Sequence, residues 1–221
     1  MILRDIILVV ASFFCGAIPF AVLVGNMFLQ DDIRRYGDGN PGAFNVLRAG
    51  GKLWGALAIF LEMSKAAVPV GLANYVFHVS DVALVIISLA APLGHAYSPF
   101  LGGDGGKAIA ASGGVLIGLS LWELPLVAMI MLVYWYTSLT SSGWAVMFTI
   151  ASTILYILIG GRPVIWLLIG ILLAILLAWR HKAELSSLPR FKVSPLLRPF
   201  LDPVFDFAIL FPPSGSSDDN H

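Results

Sequence analysis

Between two long apolar runs lies Gly37-Asp38-Gly39-Asn40-Pro41-Gly42-Ala43-Phe44-Asn45-Val46-Leu47-Arg48, a stretch whose residue types suit an anion. Glycine tolerates positive φ and carries no side chain to obstruct a ligand, so Gly37, Gly39 and Gly42 let the backbone turn sharply and offer its N–H groups as a concave nest. Asn40, Asn45 and Arg48 add amide and guanidinium donors of the kind that hold phosphate oxygens. A helix starting near Ala43 sets Asn45 and Arg48 three residues apart on one face, with Lys52 four beyond Arg48. The alternative is a connecting loop of ordinary turn residues.

A second stretch offers the same chemistry. Gly94-His95 closes one apolar run, and Gly102-Gly103-Asp104-Gly105-Gly106-Lys107 opens the next. A glycine-rich loop entering a helix N-terminus with a lysine beside it predicts free N–H groups, the helix dipole and an ammonium acting together on an anion. It is not a P-loop, because Ala108 stands where that motif needs a hydroxyl.

Other polar residues are few. Ser138, Thr140, Ser141 and Ser142 form a cluster of hydroxyls able to bond phosphate or ester oxygens, or to cap helices; no Gly-x-Ser-x-Gly elbow accompanies them. Glu62 and Lys65 lie three apart inside an apolar run. They read either as an ion pair locking helices together or as a lysine at headgroup depth oriented by the acid. His181 and Glu184 follow the last run. With neither an HExxH spacing nor a cysteine ligand, these residues predict no metal, and nothing calls for a cofactor.

The elements that must position these groups are membrane helices. Of 221 residues, 58% are hydrophobic and only 12% charged, and the mean hydropathy is +0.89, far above a soluble domain. The expected architecture is an all-α integral membrane bundle of about seven spans, near residues 6–28, 53–77, 82–95, 108–122, 125–138, 144–159 and 164–179. The first run exceeds a signal peptide's apolar core and no convincing cleavage site follows it, so it reads as retained. A net charge of zero gives no field for nucleic acid, and the single cysteine, Cys15, excludes an intrachain disulfide.

With seven spans, Arg34, Arg35, Arg48, Lys52, Lys107, Arg180, Lys182, Arg190, Lys192 and Arg198 share one side, while only Arg4 and Arg162 occupy the other. Basic loops stay in the cytoplasm, which predicts an outside amino end and a cytoplasmic carboxyl end. Every glycine-rich or hydroxyl-bearing loop then falls on the cytoplasmic face. Residues 1–185 form the expected transmembrane unit, 186–213 a proline-rich interfacial tail and 214–221 a disordered end.

Taken together, these stretches resemble the bacterial acyl-phosphate:glycerol-3-phosphate acyltransferases of the PlsY type. The resemblance is carried by Gly37 to Arg48, Ile18-Pro19-Phe20, Lys65 of an acidic-x-x-Lys pair, Gly94-His95, Gly105-Gly106-Lys107, Ser138-Leu139-Thr140-Ser141 and Arg180-His181, in family order up to about Leu185. It implies transfer of an acyl group from acyl phosphate to the 1-hydroxyl of glycerol 3-phosphate, at a bacterial plasma membrane. It departs from the family at Asp38 (serine there), Phe44 (threonine), Glu62 (aspartate), Ala108 (glycine) and Glu184 (asparagine). Asp38 and Glu184 oppose phosphate binding unless each is paired with a cation or protonated.

Acyl phosphate has a good leaving group, so positioning and charge neutralisation suffice and no protein nucleophile is needed. The expected catalytic set is Arg48 and Lys107 on phosphate, Ser138 and Ser141 supporting the acceptor, and His181 for hydrogen bonding or proton transfer. A phosphate oxygen of the donor is the other proton acceptor. Gly37, Asp38, Gly39, Asn40, Gly42, Asn45, Lys65, His95, Gly105, Gly106 and Glu184 are the expected substrate-binding surround. The alternatives are an inactive or repurposed relative, or a transporter of a phosphorylated metabolite or lipid lined by Glu62 and Lys65.

Overall fold

A computed structural model describes residues 2–192; Arg198 and most of the proline-rich tail, with the expected disordered end, lie outside the described residues. Ten α-helices follow in chain order: α1 (Ile2–Ala17), α2 (Phe20–Val24), α3 (Ala43–Gly50), α4 (Lys52–Gly71), α5 (Asp81–Ala96), α6 (Ile109–Ser120), α7 (Glu123–Ser138), α8 (Ser142–Ile159), α9 (Val164–Arg180) and α10 (Lys182–Leu185). Among the described residues the only β pairing is an isolated antiparallel bridge between Leu139 and Phe191.

Among the described residues, four helical stretches are long and apolar enough to cross a bilayer: Ile2–Leu29, Lys52–Val76, Asp81–Leu101 and Ser142–Ile159. The helices Ile109–Ser120, Glu123–Ser138 and Val164–Arg180 are apolar but shorter. Seven apolar helical stretches therefore stand where the hydropathy pattern expects them. Ile7, Phe14, Phe60, Ile130 and Ile175 are exposed on the outer surface, as lipid-facing side chains are when no water drives them inward.

The helices pack where small residues let backbones approach. A Cβ added at Gly16 would sit 2.0 Å from the carbonyl oxygen of Ala91, and one at Gly94 would sit 2.1 Å from that of Phe13. Only glycine fits at either crossing of α1 with α5. The main core gathers Ala66, Val70, Ile87, Val115, Leu119 and Leu173, all essentially inaccessible, from α4, α5, α6 and α9.

The first span is broken between α1 and α2, at Ile18-Pro19, where proline cannot donate to the helical ladder. The groups freed there are satisfied from α4. Glu62 Oε1 accepts from the Ala21 N–H at 3.0 Å, and Lys65 Nζ donates to the Ile18 carbonyl at 2.8 Å. Lys65 Nζ also lies 2.6 Å from Glu62 Oε2 and 2.8 Å from His95 Nδ1. Of the two readings of this pair, the structure favours the ion pair that locks helices. The Lys65 side chain is 1% exposed, and its ammonium faces the break between α1 and α2, α4 and α5.

Candidate active site

The motif loop folds onto its own side chains before it meets any partner. Gly37 adopts φ +59, and a Cβ there would lie 2.0 Å from Arg48 Nη1, so both conformation and contact demand glycine. Asp38 Oδ1 accepts from the Asn40 N–H and from Asn45 Nδ2, each at 3.2 Å. Asn45, 1% exposed, also donates to the Asn40 carbonyl at 2.8 Å and accepts from Arg48 Nη1 at 2.9 Å. The expected Asn45–Arg48 pairing is present. The Arg48–Lys52 pairing is not: α3 ends at Gly50, Gly51 turns at φ +145, and Lys52 starts α4 on a different axis. Two loop N–H groups are already spent, Gly39 on the Tyr36 carbonyl at 3.1 Å and Gly42 on that of Asn40 at 2.7 Å.

The second glycine loop also differs from expectation. Gly105 and Gly106 donate their N–H groups at 3.1 Å to the carbonyls of Ala96 and His95, while Arg180 donates to the Gly105 and Gly106 carbonyls at 2.7 and 3.1 Å. These N–H groups are engaged and do not form an open anion cradle. α6 starts at Ile109, after Ala108 at φ +63, so Lys107 precedes the helix rather than standing in its first turn. Gly105 and Gly106 act by position: a Cβ at Gly106 would meet His95 Nε2 at 2.1 Å, which lets the loop close over His95 and aim Lys107.

Lys107 is the hub of the site. Its ammonium donates to Asp38 Oδ2 at 2.7 Å and to Glu184 Oε1, and the other Glu184 oxygen accepts from Ser142 Oγ at 2.5 Å. Both departures that threatened phosphate binding are thus paired with a cation, and it is the same cation. Gly143 lets α10 approach, since a Cβ there would be 2.7 Å from Glu184 Cβ.

Partial burial pushes the Asp38 carboxyl up, but Lys107's hydrogen bond and charge, with Asn40 and Asn45, outweigh it and hold the group below the usual range. Glu184 is likewise raised by burial and lowered more by Lys107 and Ser142. Burial lowers Lys107, and its two carboxylates more than restore it, so its pKa is raised. His181, 1% exposed, is pushed down by burial against the opposing pull of the Leu177 carbonyl and of Glu184. Its Nδ1 lies 2.8 Å from that carbonyl, which can only accept; Nδ1 therefore carries the proton. Nε2 is left as a bare lone pair, buried without a partner among the described residues.

The hydroxyl cluster sorts unevenly. Ser138 Oγ donates back to the Tyr134 carbonyl at 2.7 Å, and Ser141 stands before α8 with no capping bond. Thr140 belongs to a docked strand-like segment: its N–H donates to the Arg190 carbonyl at 3.0 Å, and the Lys192 N–H to that of Ser138 at 2.8 Å. Ser142 is the hydroxyl that enters the site. Nothing in the local spacing singles it out, because Glu184 reaches it from 42 residues away.

Beside this polar hub opens a cavity of about 600 Å³. Asn40, Phe44, His95 and Lys107 line one end, Met63, Gly113, Leu116 and Leu132 its walls, and Leu121 and Trp122 the other end. It follows α6, whose 12 residues span about 18 Å. Phe44, which lines the cavity, stacks on Tyr136, rings 6.2 Å apart. An apolar cleft that ends on a cluster of polar and charged side chains suits a ligand with a long apolar chain and a polar head.

Comparison with known proteins points the same way. A family model described as glycerol-3-phosphate acyltransferase matches residues 6–190. A glycerol-3-phosphate acyltransferase of Lawsonia intracellularis is 35% identical over 185 residues, covering 83% of this chain and 91% of the relative. One from Neisseria meningitidis is 38% identical over 183 residues, covering 81% and 91%. Crystal structures of PlsY (YgiH), an integral membrane glycerol 3-phosphate acyltransferase, in glycerol 3-phosphate and lysophosphatidic acid forms, superpose with TM-scores of 0.74 and 0.73. Each is 29% identical, over 83% of this chain and 90% of that one.

Proposed function

The chain belongs to the glycerol-3-phosphate acyltransferase family and is a membrane acyltransferase; from that premise we propose that it moves an acyl group from acyl phosphate to the 1-hydroxyl of glycerol 3-phosphate. The products are lysophosphatidate and inorganic phosphate. The observation that carries this reading is the position of Lys107, which lines the apolar cavity and at the same time closes the polar hub of Asp38 and Glu184.

The donor's chain lies in the cavity, and its phosphoryl group meets Lys107 at the cavity's polar end. Arg48, next to Asn45, supplies the second cation, on the acceptor's phosphate. Negative charge builds on the donor's bridging oxygen as the acyl carbon–oxygen bond breaks, and a fixed ammonium stabilises it most in the transition state. The His181 Nε2 lone pair accepts a hydrogen bond from the acceptor. Gly105, Gly106 and Lys65 keep the loop and the broken first span in shape rather than touching phosphate.

Seven apolar helices cross a bacterial plasma membrane, with the amino end outside and the site at the cytoplasmic face. Support comes from the shared side of Arg34, Arg35, Arg48, Lys52, Lys107 and Arg180. Residues 1–185 form the catalytic unit.

The test is product formation by the purified full chain given palmitoyl phosphate and labelled glycerol 3-phosphate, with acyl-CoA and acyl carrier protein thioester as other donors. Lysophosphatidate from acyl phosphate alone, lost in Lys107→Ala, is the expected result. Folded protein that makes no product from any donor would overturn the reading.

A further inference from the structure

The buried cluster at the break in the first span ends at the cavity. The Lys65 ammonium has three hydrogens and three acceptors around it: the Ile18 carbonyl at 2.8 Å, Glu62 Oε2 at 2.6 Å and His95 Nδ1 at 2.8 Å. An ammonium only donates, so Nδ1 meets it with a lone pair. Glu62 Oε2 also lies 3.0 Å from Nδ1, but a proton placed there would face the ammonium, donor against donor. Nδ1 therefore accepts from Lys65, and the ring's one proton sits on Nε2.

Among the described residues that N–H has no hydrogen-bond partner, and unlike His181 Nε2 it is not enclosed. The His95 side chain keeps 8% exposure and lines the cavity at its polar end, with Asn40 and Lys107. Gly106 leaves the nitrogen uncovered, since a Cβ there would fall 2.1 Å from Nε2. Lys107 follows Gly106 directly, so an N–H and an ammonium open on the same end of the cleft. They suit two parts of one group. With the donor's phosphoryl on Lys107, the acyl carbon stands one bridging oxygen away, and its carbonyl oxygen needs a donor. His95 is held ready for it, because Nδ1 is tied to α4 and the His95 carbonyl accepts from the Gly106 N–H at 3.1 Å.

We propose that His95 is a catalytic residue whose Nε2–H binds the acyl carbonyl oxygen of the donor and stabilises the negative charge that gathers there in the transition state. Glu62 and Lys65 are positioning residues that hold the tautomer. This rests on the reading of the chain as an acyl-phosphate-dependent transferase. The acceptor's 1-hydroxyl oxygen bonds to the acyl carbon, and the carbonyl π pair moves onto the oxygen facing Nε2. That pair returns as the bond from the acyl carbon to the bridging oxygen breaks. The electrons of the broken bond leave with inorganic phosphate, which takes up the hydroxyl proton. His95 keeps its own proton throughout, as a preorganised donor does.

The experiment reads the ring directly and then its effect on rate. The full chain holds four histidines, so nitrogen-15 NMR of the histidine-labelled, reconstituted protein identifies His95 by elimination through substitutions at His78, His181 and His221. The expected result is a proton on Nε2, with a resonance that moves on adding palmitoyl phosphate and not on adding inorganic phosphate. A proton on Nδ1, or a resonance indifferent to palmitoyl phosphate, overturns the proposal. In His95→Asn the amide reaches the place of Nδ1 but not that of Nε2. Matched to wild type by thermal unfolding in detergent, it is expected to lower kcat by about 10²–10³ and to leave KM for glycerol 3-phosphate little changed. His95→Gln, whose amide N–H reaches the place of Nε2, is expected to recover about tenfold of that loss. Folded His95→Asn with wild-type kcat, or with only a raised KM for glycerol 3-phosphate, also overturns it. If neither variant folds, the wild-type resonance decides alone. Wild-type protein inactive with every donor is a different failure, that of the acyltransferase reading itself, and the proposal falls with it whichever nitrogen carries the proton.

Discussion

Lys65 donates to the carbonyl of Ile18 across 47 residues at 2.8 Å, and so fills a gap that Pro19 opens in the first span. Glu62 does the same for the Ala21 N–H. The ion pair is a plug in a broken helix. Removing one partner leaves the other as an uncompensated buried charge, which costs about 3–5 kcal/mol. Lys65→Met is therefore expected to lower the unfolding midpoint in detergent sharply, with whatever folded fraction remains showing a near-normal KM for glycerol 3-phosphate. A Lys65→Met protein of unchanged stability and raised KM would return Lys65 to the phosphate site.

Lys107 and Arg48 should separate kinetically. Lys107 meets charge that develops at the leaving oxygen, so Lys107→Ala is expected to lower kcat by about 10²–10³. Arg48→Ala is expected to act mainly on KM for glycerol 3-phosphate, and Arg48→Lys to recover little, because a point charge does not replace a planar fork already oriented by Asn45. Steady-state kinetics with each substrate varied in turn decides it. Wild-type parameters in both variants would dismantle the site assignment.

How far the sequence announces this site depends on the range of the contact. The apolar helices, the turn at Gly37 and the Asn45–Arg48 pair follow from spacing within a few residues, and all are found. Gly105 and Gly106 differ from the local expectation for a physical reason: free N–H groups are expected at a helix start, but the carbonyls of His95 and Ala96 at the end of α5 engage them. The spacing of Glu62 and Lys65 admits two readings, because their partners at the Pro19 break lie more than 40 residues away. Ser142 rather than Ser138 reaches Glu184 because α10 folds under α8, which no local pattern encodes.

That distinction is measurable. Ser142 donates to an ionised carboxylate, a bond worth about 1.5–3 kcal/mol, whereas Ser138 only returns a bond to its own helix. Ser142→Ala is expected to lower kcat about tenfold by loosening Glu184, and Ser138→Ala to leave kcat within twofold. Equal effects of the two substitutions would place both hydroxyls at the substrate.

The clamp also sets a stability window. Asp38 and Glu184 have depressed folded-state values, so their contribution is complete above the ordinary carboxyl range, about pH 4, and is lost as pH falls through those lower values. Lys107 has a raised value, so its contribution is complete below about pH 10 and is lost as pH rises through it. The difference in unfolding midpoint between wild type and the D38N/E184Q double variant is expected to be flat from about pH 5 to 9 and to shrink at both ends. A difference that widens below pH 4 would contradict the ion pairing.

The cavity makes a prediction about chain length. Gly113 lines its wall, and a Cβ there would come 3.3 Å from Met63 Cε, the far end of a flexible side chain. A larger residue is therefore admitted by movement of Met63 rather than refused by backbone. In Gly113→Leu the added side chain fills space midway along α6, between Lys107 at one end and Trp122 at the other. Long acyl chains then lose room while short ones, which stop before residue 113, do not. Each methylene excluded costs about 0.8 kcal/mol of burial, so kcat/KM is expected to fall at least tenfold for palmitoyl phosphate and to change little for butyryl phosphate. A uniform loss across chain lengths would mean that the chain takes another path, along the lipid-facing surface, and that the cavity serves the fold alone.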